Sequence, residues 1–201
     1  MSATEKIEPP RIWLMRHGAT EWSLRGRHTG RTDLPLLAEG EGEARKLGMS
    51  LRGYAFGAVL CSPLIRARET CDLAGLGARA QLLPDLMEWD YGAYEGLTST
   101  QIRKTNPTWA LFRDGCPGGE SISDACARLD RVLDVIAKLP PLGDVAVFSH
   151  GHALRVLALR YLGWPVGVGA QLLLDTTAVC RLVEGRGKRS IELWNDRSHL
   201  R

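Results

Sequence analysis

The sequence predicts an α/β domain built on a parallel sheet that is covered on both faces. Three observations predict it. The short runs "RIWLMR", "GAVLCS" (57–62) and "DVAVFS" (144–149) are apolar throughout rather than alternating, which suits strands buried on both sides and joined by helical crossovers. Between them, apolar residues recur at three- and four-residue spacing, as on one face of a helix. Strand and helix patterns therefore alternate along the chain, as in α/β folds.

In chain order, a polar, proline-containing tail over residues 1–10 precedes the first strand. Residues 39–52 then place Ala44, Leu47 and Leu51 on one helical face. After the second strand, Pro63 opens a helix that carries Arg66, in keeping with the preference of proline for a first turn. Segment 84–120 is irregular and rich in Gly, Pro and Trp, a long excursion of a kind more often functional than idle. Ile122, Ala125, Leu129, Val132, Leu133 and Ile136 form a longer helical stripe. A further helix follows Ser149 directly, with Ala153, Leu154, Leu157, Ala158 and Tyr161, and closes at Gly163 before Trp164-Pro165. "TTAVCRLVE" and "SIELWN" flank the turn-like "GRGKR" and read as a hairpin. The 201 residues suit a single domain with a substantial core, and no repeat or linker interrupts them.

Composition narrows the function classes. With 44% hydrophobic and 24% charged residues the chain is ordinary globular protein. A formal net charge of +3 is too small a bias to argue for nucleic acid. The five cysteines are scattered, odd in number and free of any C-x-x-C pair. That disfavours a disulfide framework or zinc knuckle and favours reduced thiols filling a core. The N-terminus lacks a signal-peptide apolar region and no stretch approaches membrane-spanning length. A soluble cytoplasmic protein is expected, with no membrane partner.

Ligands of open α/β sheets bind beyond the carboxyl ends of the strands. Three predicted strands end there in polar groups: Arg16-His17-Gly18, Cys61-Ser62-Pro63 followed by Arg66, and Ser149-His150-Gly151-His152. Two histidines and two arginines around one point make a coherent phosphoryl-transfer site. Arginines hold a phosphate dianion through forked, charge-assisted hydrogen bonds. A neutral imidazole nitrogen can attack phosphorus to give a covalent intermediate, while a second imidazole and backbone N–H groups stabilise the charge that develops on the equatorial oxygens. Gly18 and Gly151 would let backbone approach the ligand and adopt torsions closed to other residues.

"LMRHGATEW", "GRHTGRTDLPL", "CSPLIRARET", "EWDYGAYEG", "CPGGES" and "FSHGHALRVL", in this order over about residues 11 to 160, resemble the histidine phosphatase superfamily, the phosphoglycerate mutase-like group. The resemblance implies a three-layer α/β/α sandwich with a mostly parallel central sheet. It also implies a phosphohistidine mechanism that needs no metal and no cofactor. By position, His17 resembles the nucleophile, and Arg16, Arg66 and His150 the phosphate pocket. Glu88 matches the proton donor to the leaving oxygen. Thr29, Gly30 and Tyr91 fall where the family contacts substrate, and Gly151 where it supplies a backbone donor. Two departures stand out. Ser23 replaces a frequent Asn as a shorter phosphate donor, and "SHGH" replaces "SHGG", so that His152 narrows the pocket or touches substrate. The blocks look nearest to the branch of broad-specificity acid phosphatases and sugar bisphosphatases. Small phosphorylated metabolites are the implied partners, and homodimers are frequent in the group.

To act as acid, Glu88 must be protonated, and Trp89 and Tyr91 are candidates for limiting solvation of its charged form; Asp90 and Glu95 are its substitutes. Arg25, Arg27, His28 and Arg31 form a basic loop that is either a solvated face or a steering surface for anions. Trp22 and Trp89 are candidate pocket walls. His150 and His152 as a pair of metal ligands lack an acidic cluster around them. Besides the phosphatase, two readings stay open: a cofactor-dependent phosphoglycerate mutase, which the short chain disfavours, and a non-catalytic binder of phosphorylated ligands.

Overall fold

The structure, a computed structural model, describes residues 9–201, so most of the predicted tail lies outside the described residues. In chain order the elements are β1 (Ile12–Arg16), α1 (Glu21–Leu24), α2 (Ala38–Ser50), β2 (Phe56–Cys61), α3 (Ile65–Leu73), β3 (Ala80–Leu82), α4 (Ser99–Thr105), α5 (Leu111–Asp114), α6 (Ile122–Ala137), β4 (Asp144–Ser149), α7 (Gly151–Leu162), β5 (Val179–Gly185) and β6 (Lys188–Asp196). The strands form one sheet in the order β3-β2-β4-β1-β5-β6. The first four are parallel, and β5 and β6 are antiparallel at one edge. The expected sandwich with a mostly parallel sheet is the observed fold.

Continuous apolarity in the strands has a simple cause: both faces are covered. Ile12 and Leu14 join Leu60, Val145 and Val147 in a core completed by Leu129 and Val132 of α6 and Leu154 and Leu157 of α7. Their sequence neighbours Trp13 and Met15 join Val59, Ala146 and Phe148 in a second core under Leu47 of α2 and Ala67 and Cys71 of α3. Each fully buried Leu, Val or Phe contributes roughly 1.5–3 kcal/mol. Burial on both faces thus holds the strand ends that carry the polar residues.

The helices begin and end much as predicted. α6 opens on a capping box in which Ser121 and Asp124 bond each other's backbone N–H. α7 closes on Gly163, left-handed at φ 70. Pro63 requires a correction: it precedes the Leu64 cap of α3 instead of opening the helix. The reason is local, since Ser62 Oγ and Asp33 Oδ1 accept the N–H groups of Leu64 and Ile65 and set the helix start two residues later. The hairpin turn is also tighter than "GRGKR". Arg186 and Gly187 alone make it, at φ 54 and 72, the geometry of a two-residue turn that matches strand twist. Edge strand β3 escaped the sequence reading because its three residues are largely exposed and form no apolar run. The 84–120 excursion contains α4, α5 and two 3₁₀ turns, Pro84–Leu86 and Gly92–Tyr94.

The glycines of the site act differently from the expectation. Neither Gly18 nor Gly151 has a positive φ. A Cβ on Gly18 would instead stand 2.6 Å from the Gly40 carbonyl oxygen. The start of α2 therefore packs directly on the backbone that follows His17, and glycine is required there for close packing rather than for torsion.

Candidate active site

Strand order brings distant sequence together. Because β4 lies between β2 and β1, Arg16 pairs with Ser149 and Cys61 with Phe148. Backbone bonds continue past the strands, from His17 N–H to Ser149 O at 3.0 Å and from Ser62 N–H to Phe148 O at 2.9 Å. At this edge lies a cavity of about 160 Å³. Arg16, His17, Ser23, Thr29, Glu88, Tyr91, Gly151 and His152 line it, together with Gly26, Arg27, His28 and Arg155.

His17 is nearly buried and its ring is oriented by its neighbours. Nδ1 lies 2.8 Å from the Gly18 carbonyl oxygen, which can only accept, so Nδ1 carries the proton and Nε2 the lone pair. The Gly18 peptide is itself held, its N–H donating to Thr70 Oγ1 at 3.0 Å while that hydroxyl donates to Arg66 O at 2.7 Å. Burial, then the charges of Arg66 and Arg16, push the imidazole well below its usual pKa. The ring is neutral, as a nucleophile must be.

Arg66 and His150 were expected in the pocket wall; they lie one layer behind it. Both are 0% exposed, and the His150 ring centroid is 5.2 Å from that of His17. Arg66 donates from Nε to His150 Nδ1 at 3.1 Å, from Nη1 to Thr32 O and from Nη2 to Thr29 O and Gly30 O, each at 3.0 Å. Because Nδ1 of His150 accepts, its Nε2 holds the proton and donates to Ser62 Oγ at 2.7 Å. Arg66 therefore ties the 29–32 loop to the histidine pair. Gly30 also sits behind the wall, its N–H bound to Glu95 Oε1 at 2.8 Å. Arg16 differs. One of its nitrogens donates to Leu174 O, but Nε is buried without a partner among the described residues, a vacant donor of the kind an anion satisfies.

Glu88 sits at the N-terminus of α7. Its Oε1 accepts from Trp89 N–H at 2.9 Å and Ala153 N–H at 2.8 Å, and its Oε2 from His152 N–H at 3.0 Å. Burial works to raise its pKa, but the three backbone N–H groups bonded to the carboxylate outweigh burial and hold the carboxyl well below the usual range. The expectation of a carboxyl kept protonated by its neighbours is thus corrected: in the resting site Glu88 is ionised. Trp89 does not shield it from the cavity; its indole is buried in the core and donates to Glu120 O at 2.9 Å. Trp22 is no wall either, since it lies under Arg27 and against Gly96. The two substitutes for Glu88 are engaged elsewhere. Glu95 accepts from the N–H groups of Gly30 and Thr32, and Asp90 from that of Gly92.

The remaining predicted contacts vary in how free they are. Ser23 lines the cavity, yet its hydroxyl donates to Thr20 O at 3.0 Å and accepts from Thr20 N–H in the cap of α1. Thr29 Oγ1 likewise donates to Arg27 O at 3.2 Å. The Tyr91 hydroxyl and His152 Nδ1 are 2.6 Å apart. Burial first, then Arg155, pushes His152 down to about 3, so it is neutral and Nδ1 accepts from Tyr91. His150 and His152 therefore serve different partners. Among the described residues no three His, Cys, Asp or Glu side chains gather as a metal site. Sequence reasoning missed Arg155, although it stands in "SHGHALR": a position one turn beyond His152 on α7 was the available signal.

Four neutral histidines make a pH prediction. Burial depresses His17 and His150 strongly, His28 to about 4 and His152 to about 3. Below pH 6.5 the unfolded chain binds protons that the fold refuses, so stability falls as pH falls. Glu88 is ionised in both states above about 4.5 and adds nothing in this window. Denaturant midpoints for the ligand-free protein should drop between pH 7.5 and 5.5, as the unfolding free energy falls by up to about 1.4 kcal/mol for each histidine. A midpoint that holds or rises would contradict this account.

A doubly covered parallel sheet whose carboxyl edge gathers a neutral imidazole, a vacant arginine donor and a carboxylate around one cavity defines a class, the α/β phosphate-ester hydrolases. The chain belongs to the histidine phosphatase superfamily (branch 1), whose profile matches residues 12–197. It is 37% identical over 171 residues to an acid phosphatase of Mycobacterium tuberculosis, with 84% of each chain covered. It is also 37% identical to the sedoheptulose 1,7-bisphosphatase of Saccharomyces cerevisiae, over 77% of this chain and 68% of that one. A probable phosphoglycerate mutase of Erwinia tasmaniensis is 30% identical over 85% and 83%. The solved structure of a Mycobacterium tuberculosis open reading frame matches with a TM-score of 0.87 and 35% identity, covering 92% of this chain and 97% of that one. The protein is a phosphoric monoester hydrolase. No helix among the described residues is long and apolar enough to cross a membrane.

Proposed function

We propose that the protein hydrolyses phosphomonoesters of small metabolites in the cytoplasm through a phosphohistidine on His17. One observation carries the reading: the His17 Nδ1–H is locked on Gly18 O, so the lone pair of Nε2 belongs to a cavity that Glu88 and Arg16 also line. Nε2 attacks phosphorus and the ester P–O bond breaks. Arg16 Nε, aided by the charge of Arg66 behind the ring, stabilises the equatorial oxygens. The leaving oxygen takes its proton from Glu88. Because that carboxyl rests ionised, the proton arrives with the substrate, whose phosphate binds as the monoanion. In the second half-reaction Glu88 accepts a proton from water as the water attacks phosphorus, releasing Nε2 and inorganic phosphate. The acid phosphatase and bisphosphatase relatives support water as the acceptor, and the five free cysteines fit a reducing compartment.

Rapid quenching of the protein with labelled phosphomonoester tests this. Base-stable, acid-labile label on the peptide containing His17 is expected; label on another side chain would refute it. Incubation with 3-phosphoglycerate, with and without a bisphosphoglycerate primer, identifies the acceptor. Free phosphate is expected, and isomerisation in its place would make the protein a mutase.

A further inference from the structure

We infer that Arg128 and Glu120, a buried ion pair behind the cavity, position the Glu88 carboxyl for proton transfer to the leaving oxygen. The inference rests on the acid role that the phosphatase reading gives to Glu88. The "CPGGES" block ends in Glu120, and α6 carries Arg128; neither lines the cavity. Among the described residues they form the one ion pair whose two side chains are both more than nine-tenths buried. Arg128 donates from Nε to Oε1 at 2.6 Å and from Nη2 to Oε2 at 2.7 Å, a complete fork. Desolvation offsets much of the attraction in such a pair, which makes it a weak source of stability. What it supplies here is direction. The remaining nitrogen, Nη1, donates to Asp85 O at 2.6 Å and Met87 O at 2.7 Å, and the second of these carbonyls belongs to the peptide that enters Glu88.

Other groups close the grip on this segment. Ser149 Oγ, at the end of β4, donates to Leu86 O at 2.7 Å. Past Glu88, the backbone of Glu120 donates to Asp90 O at 2.9 Å and accepts from the Trp89 indole at 2.9 Å. A Cβ on Gly119 would stand 2.3 Å from Asp90 O, so the glycine lets the block lie backbone to backbone on the residues after Glu88. The carboxylate itself is held by amides of Trp89, His152 and Ala153. Glu88 therefore has two anchors on different elements: α7 takes the head of the side chain, and Arg128 with Glu120 fixes the main chain behind it. A proton donor must come within about 2.6–3.2 Å of its target oxygen, and a displacement of about 1 Å can cost ~10²-fold in rate. Lysine at 128 would keep the charge but present a point donor, unable to fill the fork and both carbonyls together.

Arg128→Lys and Glu120→Gln in the full chain, each alone and combined with Glu88→Gln, are assayed for released phosphate. The alkyl substrates are fructose 6-phosphate and glycerol 3-phosphate, and the aryl substrate is p-nitrophenyl phosphate. The readout is kcat/KM, which reports the steps up to the phosphohistidine and not the later one in which Glu88 is a base. Arg128→Lys should cut kcat/KM for alkyl phosphates by about 10- to 100-fold and for the aryl phosphate by less than about threefold. Added to Glu88→Gln it should cost less than about threefold on any substrate, because the group it positions is already gone. Should Arg128→Lys not fold, Glu120→Gln decides by the same split and the same non-additivity, since it keeps an oxygen for Arg128 Nε. Equal falls on alkyl and aryl substrates, no fall on either, or a full extra loss on top of Glu88→Gln overturns the inference and leaves the phosphatase reading intact. Glu88→Gln that lowers both substrate types alike removes the acid role and the inference with it. No phosphate from any compound overturns the phosphatase reading as well.

Discussion

His17→Ala protein is expected to lose turnover by about 10⁴-fold or more, the scale seen when a nucleophile is removed from a covalent mechanism. The loss should fall on kcat, with binding of inorganic phosphate largely kept, because Arg16 and the strand ends that hold it are untouched. Deleting a buried ring that rests neutral among positive charges removes no ion pair, so the variant should fold. Its Gly18 carbonyl loses one donor, which water entering the vacated space replaces. Steady-state kinetics and phosphate titration on the folded variant decide the matter. Turnover within tenfold of the parent protein would place the chemistry elsewhere.

Glu88→Gln protein should separate substrates by leaving group. Alkyl phosphates need a proton on the departing oxygen, and their turnover should fall by about 10²–10⁴-fold. Aryl phosphates such as p-nitrophenyl phosphate leave as stable anions and should fall far less. Equal falls would remove the acid role. The resting state of the carboxyl adds a sign. Since Glu88 is ionised and the reactive proton comes with the substrate, kcat/KM for alkyl phosphates should decline tenfold per pH unit above the second phosphate pKa of about 6. Toward acid it should persist, because His17 stays neutral well below its ordinary value. The glutamine also gives up one of two oxygens that together accept three backbone N–H groups, a cost of about 1–3 kcal/mol. Rates must therefore be compared far below the melting temperature.

Much of this site is legible in the sequence alone. Arg16-His17-Gly18 and Ser149-His150 stand at the ends of apolar runs, and a strand buried on both faces can surface only at its ends. The short polar stretch after each run therefore marked the edge where the cavity lies. α7 was equally readable, from its periodic face and its closing glycine. What escaped was anything set by contacts between distant segments. Arg66 carries the right charge, but the 29–32 carbonyls and His150 take its donors and draw it behind the wall. Glu88 was legible as a carboxylate in a suggestive block. Its ionisation was not, because the deciding amides belong to α7, more than sixty residues away. Arg155 was overlooked because one-turn spacing from His152 acquires meaning only once Phe112 and the 169–172 carbonyls fix the side chain.

By itself, the order of residues determined the α/β class, the strand ends and the chemical types gathered there. Periodicity and capping act within a few neighbours, and burial on two faces leaves its mark in every strand. Only tertiary structure decided which arginines line the cavity, which imidazole nitrogen holds the proton and whether the carboxyl is charged. Each of those depends on a hydrogen bond or a desolvation imposed by a segment far along the chain, and such partners leave no local trace.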